Sequence, residues 1–293
     1  MSIHEPVLTK EILQYLDPKA NENFVDCTVG EGGHSNLILE KISPEGRVLG
    51  IDLDPHQIVS SGWLKARYKD KIIFANDSYV NIKELVERNN LNPVSGILLD
   101  LGMSSAQLEG TQKGFSFKLE QGLDMRYNDQ TGFVTAAIIV NEWPEEKITE
   151  VLENYGEEKF ARKIAKAIVE KRKEGRIKTT FELIEIIKNA VPNSYLKQKI
   201  HYATRTFQAL RIAVNDELEN IKRVLPDALS ILAPGGRLVV ISFHSLEDRI
   251  VKDFFKKAKD IKILTKKPVM AGQAEKRTNV RARSAKLRAI IKN

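Results

Sequence analysis

Acidic side chains recur at the ends of apolar runs in the first hundred residues, at Asp26, Asp52, Asp54 and Asp100. Asp26 is followed by Gly30-Glu31-Gly32-Gly33-His34-Ser35, where three glycines let the backbone approach a ligand that a Cβ would hold off. Asp52 lies about 20 residues beyond those glycines, the separation at which a carboxylate can accept both hydroxyls of a ribose. Asn76-Asp77-Ser78-Tyr79, Asp100-Leu101-Gly102-Met103-Ser104-Ser105 and His244 also follow apolar runs. Together they predict a nucleoside site.

A parallel sheet would gather these groups, because ligands bind in the crevice at the carboxyl ends of its strands. Asn23–Val29, Arg47–Leu53, Lys71–Ala75 and Val94–Leu101 read as strands, with helices near 33–42, 56–68 and 79–88 between them. That alternation predicts right-handed crossovers and a doubly wound α/β sheet. From 105 to 214 no strand is apparent. Residues 144–173 read as one long helix or a broken pair, and Thr180–Ala190 as another helix. The α/β rhythm then returns: a helix through Leu218, Ile221, Leu225 and Leu229, a turn at Pro234-Gly235-Gly236, and a strand at Arg237–Phe243. A helix follows from Ser245, with Asp248 expected to complete its capping box. Extended segments near Ile261–Thr265 and Lys286–Lys292 close the chain. The expected organisation is a sheet domain of 1–104 and 215–293 with an all-helical insertion at 105–214.

With 293 residues, 42% hydrophobic and 29% charged, the chain can build a sizeable core, which excludes disorder as its main state. No apolar run approaches the ~20 residues of a membrane helix, and the N-terminal residues, with His4 and Glu5, show no signal peptide. The lone Cys27 can form neither an internal disulfide nor a zinc cluster, and His4, His201 and His244 lack metal spacing, so no metal is expected. A cytoplasmic protein fits best. Charge is uneven. Residues 1–110 hold 10 basic against 16 acidic residues, whereas 242–293 hold 15 against 5. A basic end suggests a polyanionic partner, although a solvated lysine-rich surface explains such runs equally simply.

A dinucleotide site needs a helix N-terminus free for pyrophosphate and commonly a third glycine, where this chain has Ser35. Glu31 adds negative charge to the loop. That charge suits the cationic sulfonium and amino groups of S-adenosylmethionine (AdoMet) better than it suits phosphate. Two readings of Asp26 stand, fixing the loop or facing the ligand. Two also stand for His34, acting through its backbone or through its ring. His244 is a possible substrate contact, and Ser104 and Ser105 line or cap their loop.

The sequence resembles the RsmH (MraW) family of bacterial small-subunit rRNA methyltransferases along almost its whole length. The resemblance is carried by His4-Glu5-Pro6-Val7-Leu8, Gly32–Ser35, Asp52-Leu53-Asp54, Leu99–Ser105 with Gln107, Gly114-Phe115-Ser116-Phe117 and Leu123-Asp124-Met125-Arg126. It continues through Arg205–Arg211, Ile241–Arg249 and Arg281–Arg288. Tyr79 stands where phenylalanine is common, and Tyr202 and Val280 where proline is usual. The resemblance implies a class I AdoMet methyltransferase with a Rossmann-like sheet. Its cofactor site would comprise Gly32, Gly33, His34, Asp52, Tyr79, Asp100 and Gln107. The implied substrate is the N4 amine of a decoding-region cytidine, in small-subunit (16S) rRNA or in the assembled small ribosomal subunit.

The expected chemistry is direct methyl transfer, since Cys27 lies in the first strand and not where a cytosine-attacking thiol would stand. The N4 lone pair is delocalised into the ring, so an acceptor for one N4–H bond would help, and Asp100 is the expected catalytic group. Arg126, Arg205 and Arg211 could meet phosphate or form structural ion pairs, and Lys276, Arg277, Arg281, Arg283, Lys286 and Arg288 are expected to face phosphates. A small-molecule AdoMet methyltransferase or a dehydrogenase on the same sheet is the runner-up. A non-catalytic RNA-binding assembly factor is a third class. An exposed apolar helix of the insertion could support a homodimer.

Overall fold

The structure, a computed structural model, describes residues 6–104, 107, 112–130 and 132–293. The motif positions His4, Glu5 and Ser105 lie outside the described residues. In chain order the elements begin with α1 (Thr9–Leu16), β1 (Asn23–Asp26), α2 (Gly33–Ile42), β2 (Val48–Asp52), α3 (Pro55–Ser60), α4 (Trp63–Tyr68), β3 (Ile72–Asn76), α5 (Ile82–Arg88) and β4 (Val94–Asp100). Then come α6 (Ala136–Glu142), α7 (Glu145–Gly156), α8 (Ala161–Arg172), α9 (Thr180–Ala190), α10 (Asn193–Leu196), α11 (Thr204–Asn215) and α12 (Glu217–Ile231). The last elements are β5 (Leu232–Ser242), α13 (Ser245–Lys257), β6 (Ile261–Ile263), β7 (Val269–Met270), α14 (Gln273–Thr278) and β8 (Lys286–Lys292).

The strands form one eight-stranded sheet in the order β3-β2-β1-β4-β5-β8-β6, with β7 on β8. Neighbours from β3 through β5 run parallel, and β8 is antiparallel to β5, β6 and β7. This is a mixed α/β sheet with a parallel core and an antiparallel edge. Its apolar runs are buried on both faces: β2 and β4 are buried at nearly every position except their terminal Asp52 and Asp100. Strand order reverses direction between β1 and β4, so the crevice at their carboxyl ends is the switch point.

Contacts divide the chain into two compact units, one running to Gly102 and resuming at Leu218–Asn293, the other Met103–Glu217. The first has a core of Phe24, Ile38, Leu39, Val48, Leu98, Val239 and their neighbours. The second is helical, its core built from Ile148, Leu152, Ile164, Ile168, Leu183, Ile187 and Leu210. Its described residues contain an isolated bridge between Gly122 and Thr179.

Several local readings change. The helix expected at 56–68 is two short ones, α3 and α4. The Asp54 carboxylate caps α3 by accepting from the His56 N–H at 2.9 Å, and Pro55 occupies its first turn. Residues 79–81 form a 3₁₀ turn before α5. Residues 144–173 are the broken pair, α7 ending at left-handed Glu157. The expected turn at 234–236 is a register shift within β5, which runs on from Leu232. The segment 204–215, read only as a motif, is a helix. Finally, His244 and not Ser245 caps α13. The His244 ring accepts from the Glu247 N–H while the Glu247 carboxylate reaches back to the His244 N–H. Asp248, freed from capping, pairs with Arg288.

Candidate active site

The loop after β1 is held open by its own residues. Asp26 is fully buried and accepts from the Ser35 hydroxyl at 2.7 Å and from the Thr28 N–H at 3.2 Å. Of the two readings of Asp26, the structure shows the one that fixes the loop, with both oxygens engaged inside the protein. Burial raises its pKa against these donors. Trp63 Nε1 ties the outside of the turn by donating to the Glu31 carbonyl at 3.0 Å.

Gly32 has φ +87°, which only glycine adopts without strain. A Cβ there would lie 2.6 Å from Leu64 Cδ1, and one on Gly33 would meet Pro6 Cγ at 3.0 Å. The space beside these two glycines is filled by protein, so a side chain would disturb packing before it touched a ligand. Gly30, at φ +52°, is the open one, its nearest non-neighbouring atoms 3.8 Å away.

Asp52 ends β2 and is half-buried. Its Oδ2 accepts from the Gly30 N–H and its Oδ1 from the Asp54 N–H, both at 3.0 Å. Burial pushes its pKa up to about 7 against those two bonds. A carboxylate can accept about four hydrogen bonds, so it retains capacity for two hydroxyl donors. Close by, Gln57 is 2% exposed and its Oε1, 3.8 Å from the Cβ position of Gly30, has no protein partner. At the end of β3, the Asn76 amide donates to the carbonyls of Asp52 and Leu53. Ser78 caps the turn that carries half-buried Tyr79.

Asp100 ends β4 between these strands and β5. Its N–H donates to Thr28 Oγ1 at 2.7 Å, locking the strand end to the glycine loop. Oδ1 is buried without a hydrogen-bond partner, while Oδ2 lies 3.7 Å from His34 Nδ1. Burial pushes the Asp100 pKa up to about 6; the Arg281 guanidinium opposes the rise and Glu247 adds to it. The His34 ring is buried at the start of α2, its Nε2 2.9 Å from the Val7 carbonyl. Burial lowers its pKa. The imidazole is therefore engaged, whatever its backbone does.

Gly32, Gly33, His34, Asp52, Tyr79 and Asp100 thus share the carboxyl edge of the sheet. Gln107 belongs to the helical unit, where its Oε1 accepts from the Ser104 N–H and its own N–H donates to Ser104 Oγ. Sequence reasoning overlooked Thr28, Val7 and Gln57. It also gave no sign that the Arg281 guanidinium lies over the Phe243 ring at 5.2 Å and acts on both His34 and Asp100. The sign of its charge near the strand-end carboxylates was the available clue.

Other basic residues are already paired. Arg288 is 7% exposed and bidentate on Asp248, which rules out the phosphate contact expected of it. Lys286 lies 3.8 Å from the same carboxylate. Arg126 pairs with Asp124 and Arg211 with Glu217, and Arg205 donates to the Glu157 carbonyl. Cys27 is buried, and burial raises its thiol pKa well above the ordinary range, so it is a poor nucleophile.

The crevice is rich in acceptors: Asp52, Asp100 and Gln57 offer oxygens, and no phosphate would sit comfortably among the carboxylates. A ligand with hydroxyl donors and positive charge fits this set, as AdoMet has.

The helical unit and the sheet unit both lie within one family match, the MraW methylase family, which spans residues 1–293. Three relatives carry the name "Ribosomal RNA small subunit methyltransferase H". The one from Symbiobacterium thermophilum is 43% identical, covering 99% of this chain and 96% of the relative. Those from Heliobacterium modesticaldum and Geobacter sulfurreducens are 44% and 43% identical, each covering 99% of this chain and 98% of the relative. A family match over the full length, with identity sustained along it, means that the chain belongs to the MraW methylase family.

Proposed function

We propose that this protein methylates the exocyclic N4 of a cytidine in the decoding region of small-subunit rRNA, using AdoMet. The observation that carries the chemistry is the buried, unpartnered Oδ1 of Asp100 at the switch point of the sheet. AdoMet, when bound, supplies an electrophilic methyl group on a sulfonium. Asp52 accepts from the ribose hydroxyls, and Tyr79 offers an aromatic face to the adenine. Gly32, Gly33 and His34 shape the loop, and Gln107 is the remaining cofactor residue of this reading. Asp100 accepts one N4–H bond, which holds the amine in line and opposes delocalisation of its lone pair; its charge matters most as positive charge grows on N4.

The helical unit, together with the linking residues, serves substrate recognition. The unpaired members of the basic C-terminal segment meet RNA phosphates. The protein acts in the cytoplasm, on small-subunit rRNA, either naked or in the assembled small subunit. Among the described residues no helix is long and apolar enough to cross a membrane. Purified protein, AdoMet and either naked rRNA or assembled subunits, followed by nucleoside mass spectrometry, test the reading. N4-methylcytidine is expected, and the two substrates distinguish naked rRNA from the assembled subunit as the form acted on. Formation of 5-methylcytidine overturns the direct transfer.

A further inference from the structure

We propose that His34 is a positioning residue for Asp100, the two holding one shared proton between His34 Nδ1 and Asp100 Oδ2 while Asp100 Oδ1 stays free to accept from the target amine. The proposal rests on the methyl-transfer reading above and deepens it.

The geometry is directional. The Val7 carbonyl can only accept, so His34 Nε2, 2.9 Å away, must carry the ring proton of the neutral imidazole. Nδ1 is then a lone pair, and it lies 3.7 Å from Asp100 Oδ2. An ionised Asp100 would set negative charge against that lone pair in a buried place. One proton between them relieves the conflict, and held on Nδ1 it leaves Asp100 its charge. The gap exceeds a hydrogen bond by a few tenths of an ångström, as ligand-free catalytic contacts commonly do before they tighten.

Both partners are fixed from behind. Gly33 starts α2 against Pro6, and the Leu8 N–H of the same segment donates to Glu275 at 2.7 Å, which holds the Val7 carbonyl in place. Thr28 holds the Asp100 backbone. Charges of both signs face the pair. Asp26 and Glu275 favour a proton on His34, and Arg281 opposes it. Glu247 favours a proton on Asp100, and Arg281 again opposes it. Two such groups titrate as a pair, with midpoints that belong to neither alone.

The test reads the ligand-free protein first. With ¹⁵N-labelled histidine, NMR should show His34 as the Nε2–H tautomer, and Asp100→Asn should lower its titration midpoint by about one pH unit or more, because the carboxylate that favours the imidazolium is gone. The second readout is the pH profile of single-turnover methylation, whose acidic limb should move by about half a unit or more in His34→Gln. An imidazole whose titration ignores Asp100→Asn overturns the proposal, as does an acidic limb unmoved in His34→Gln. If His34→Gln fails to fold, the NMR titration decides alone. Coupled titration in a protein that methylates no cytidine supports the pair and overturns the substrate reading instead.

Discussion

Asp52→Ala separates what this carboxylate does for the ligand from what it does for the loop. The variant removes the acceptor for the Gly30 and Asp54 N–H groups in both the free and the bound protein, so those losses appear as stability. The ribose bond exists only in the complex, so its loss appears as affinity. A hydrogen bond to a charged group contributes about 1.5–3 kcal/mol, which predicts AdoMet binding weaker by roughly 10- to 150-fold in calorimetry. Stability should follow pH in a specific direction. The folded pKa of about 7 lies above the ordinary 3.8, so the folded state holds the proton more tightly. Its contribution is present below about pH 4 and is lost as pH rises through about 7, a change of at most about 4 kcal/mol. Asp52→Ala removes that liability. The variant should therefore lie furthest below the wild type near pH 4, and the difference should shrink steadily toward pH 8. Unchanged AdoMet affinity, or tight binding of NAD in place of AdoMet, would refute the site.

Asp100→Asn keeps size and one acceptor oxygen but loses the charge, so single-turnover methylation should fall about a hundredfold, or ~2.7 kcal/mol, with AdoMet affinity changing far less; equal losses that saturation restores would make Asp100 a cofactor ligand only. Thermal denaturation of the ligand-free protein should show stability lost between about pH 4 and 7 as Asp100 and Asp52 ionise, His34 working in the opposite sense below its ordinary 6.5. Gln57→Met should leave the melting temperature level or higher, since it deletes a buried oxygen without a protein partner, and should weaken AdoMet if that oxygen meets the ligand. Neutralising Lys276, Arg277 and Arg283 should flatten the salt dependence of RNA binding by about 0.7 in log–log slope per phosphate contact, while Arg288→Gln should lower stability by breaking its bidentate pair with Asp248.

The sheet was legible because parallel strands must be apolar on both faces, and 94–101 or 47–53 could be little else. Three strand ends were legible for the same reason: β1, β2 and β4 each stop at a carboxylate that burial would penalise. What was illegible depended on partners distant in sequence. Nothing near Arg288 announces Asp248, 40 residues earlier, so a buried ion pair looked like a phosphate contact. Histidine is a rare cap, so the α13 box was read one residue late, at Ser245. The glycine loop was read as room for a ligand, whereas Leu64 and Pro6 occupy the sides of Gly32 and Gly33. A string of glycines reveals that space is needed, and only the packing reveals by what.

The three strand-end carboxylates are therefore not equivalent, although the sequence presents them alike. Asp26 has a donor on each oxygen and full burial, so no ligand reaches its remaining acceptor directions and it serves the loop. Asp52 has one backbone donor per oxygen and partial exposure, which leaves directions open toward the crevice for neutral hydroxyls. Asp100 has one oxygen without any donor and the other turned toward a histidine, in a place where burial already resists its charge. An unmet buried acceptor is unfavourable in the folded protein by itself. Its presence at the switch point is explained if the missing donor arrives with the substrate, so that binding satisfies what folding left open. Satisfaction thus decreases from Asp26 to Asp100 as the role passes from architecture to chemistry.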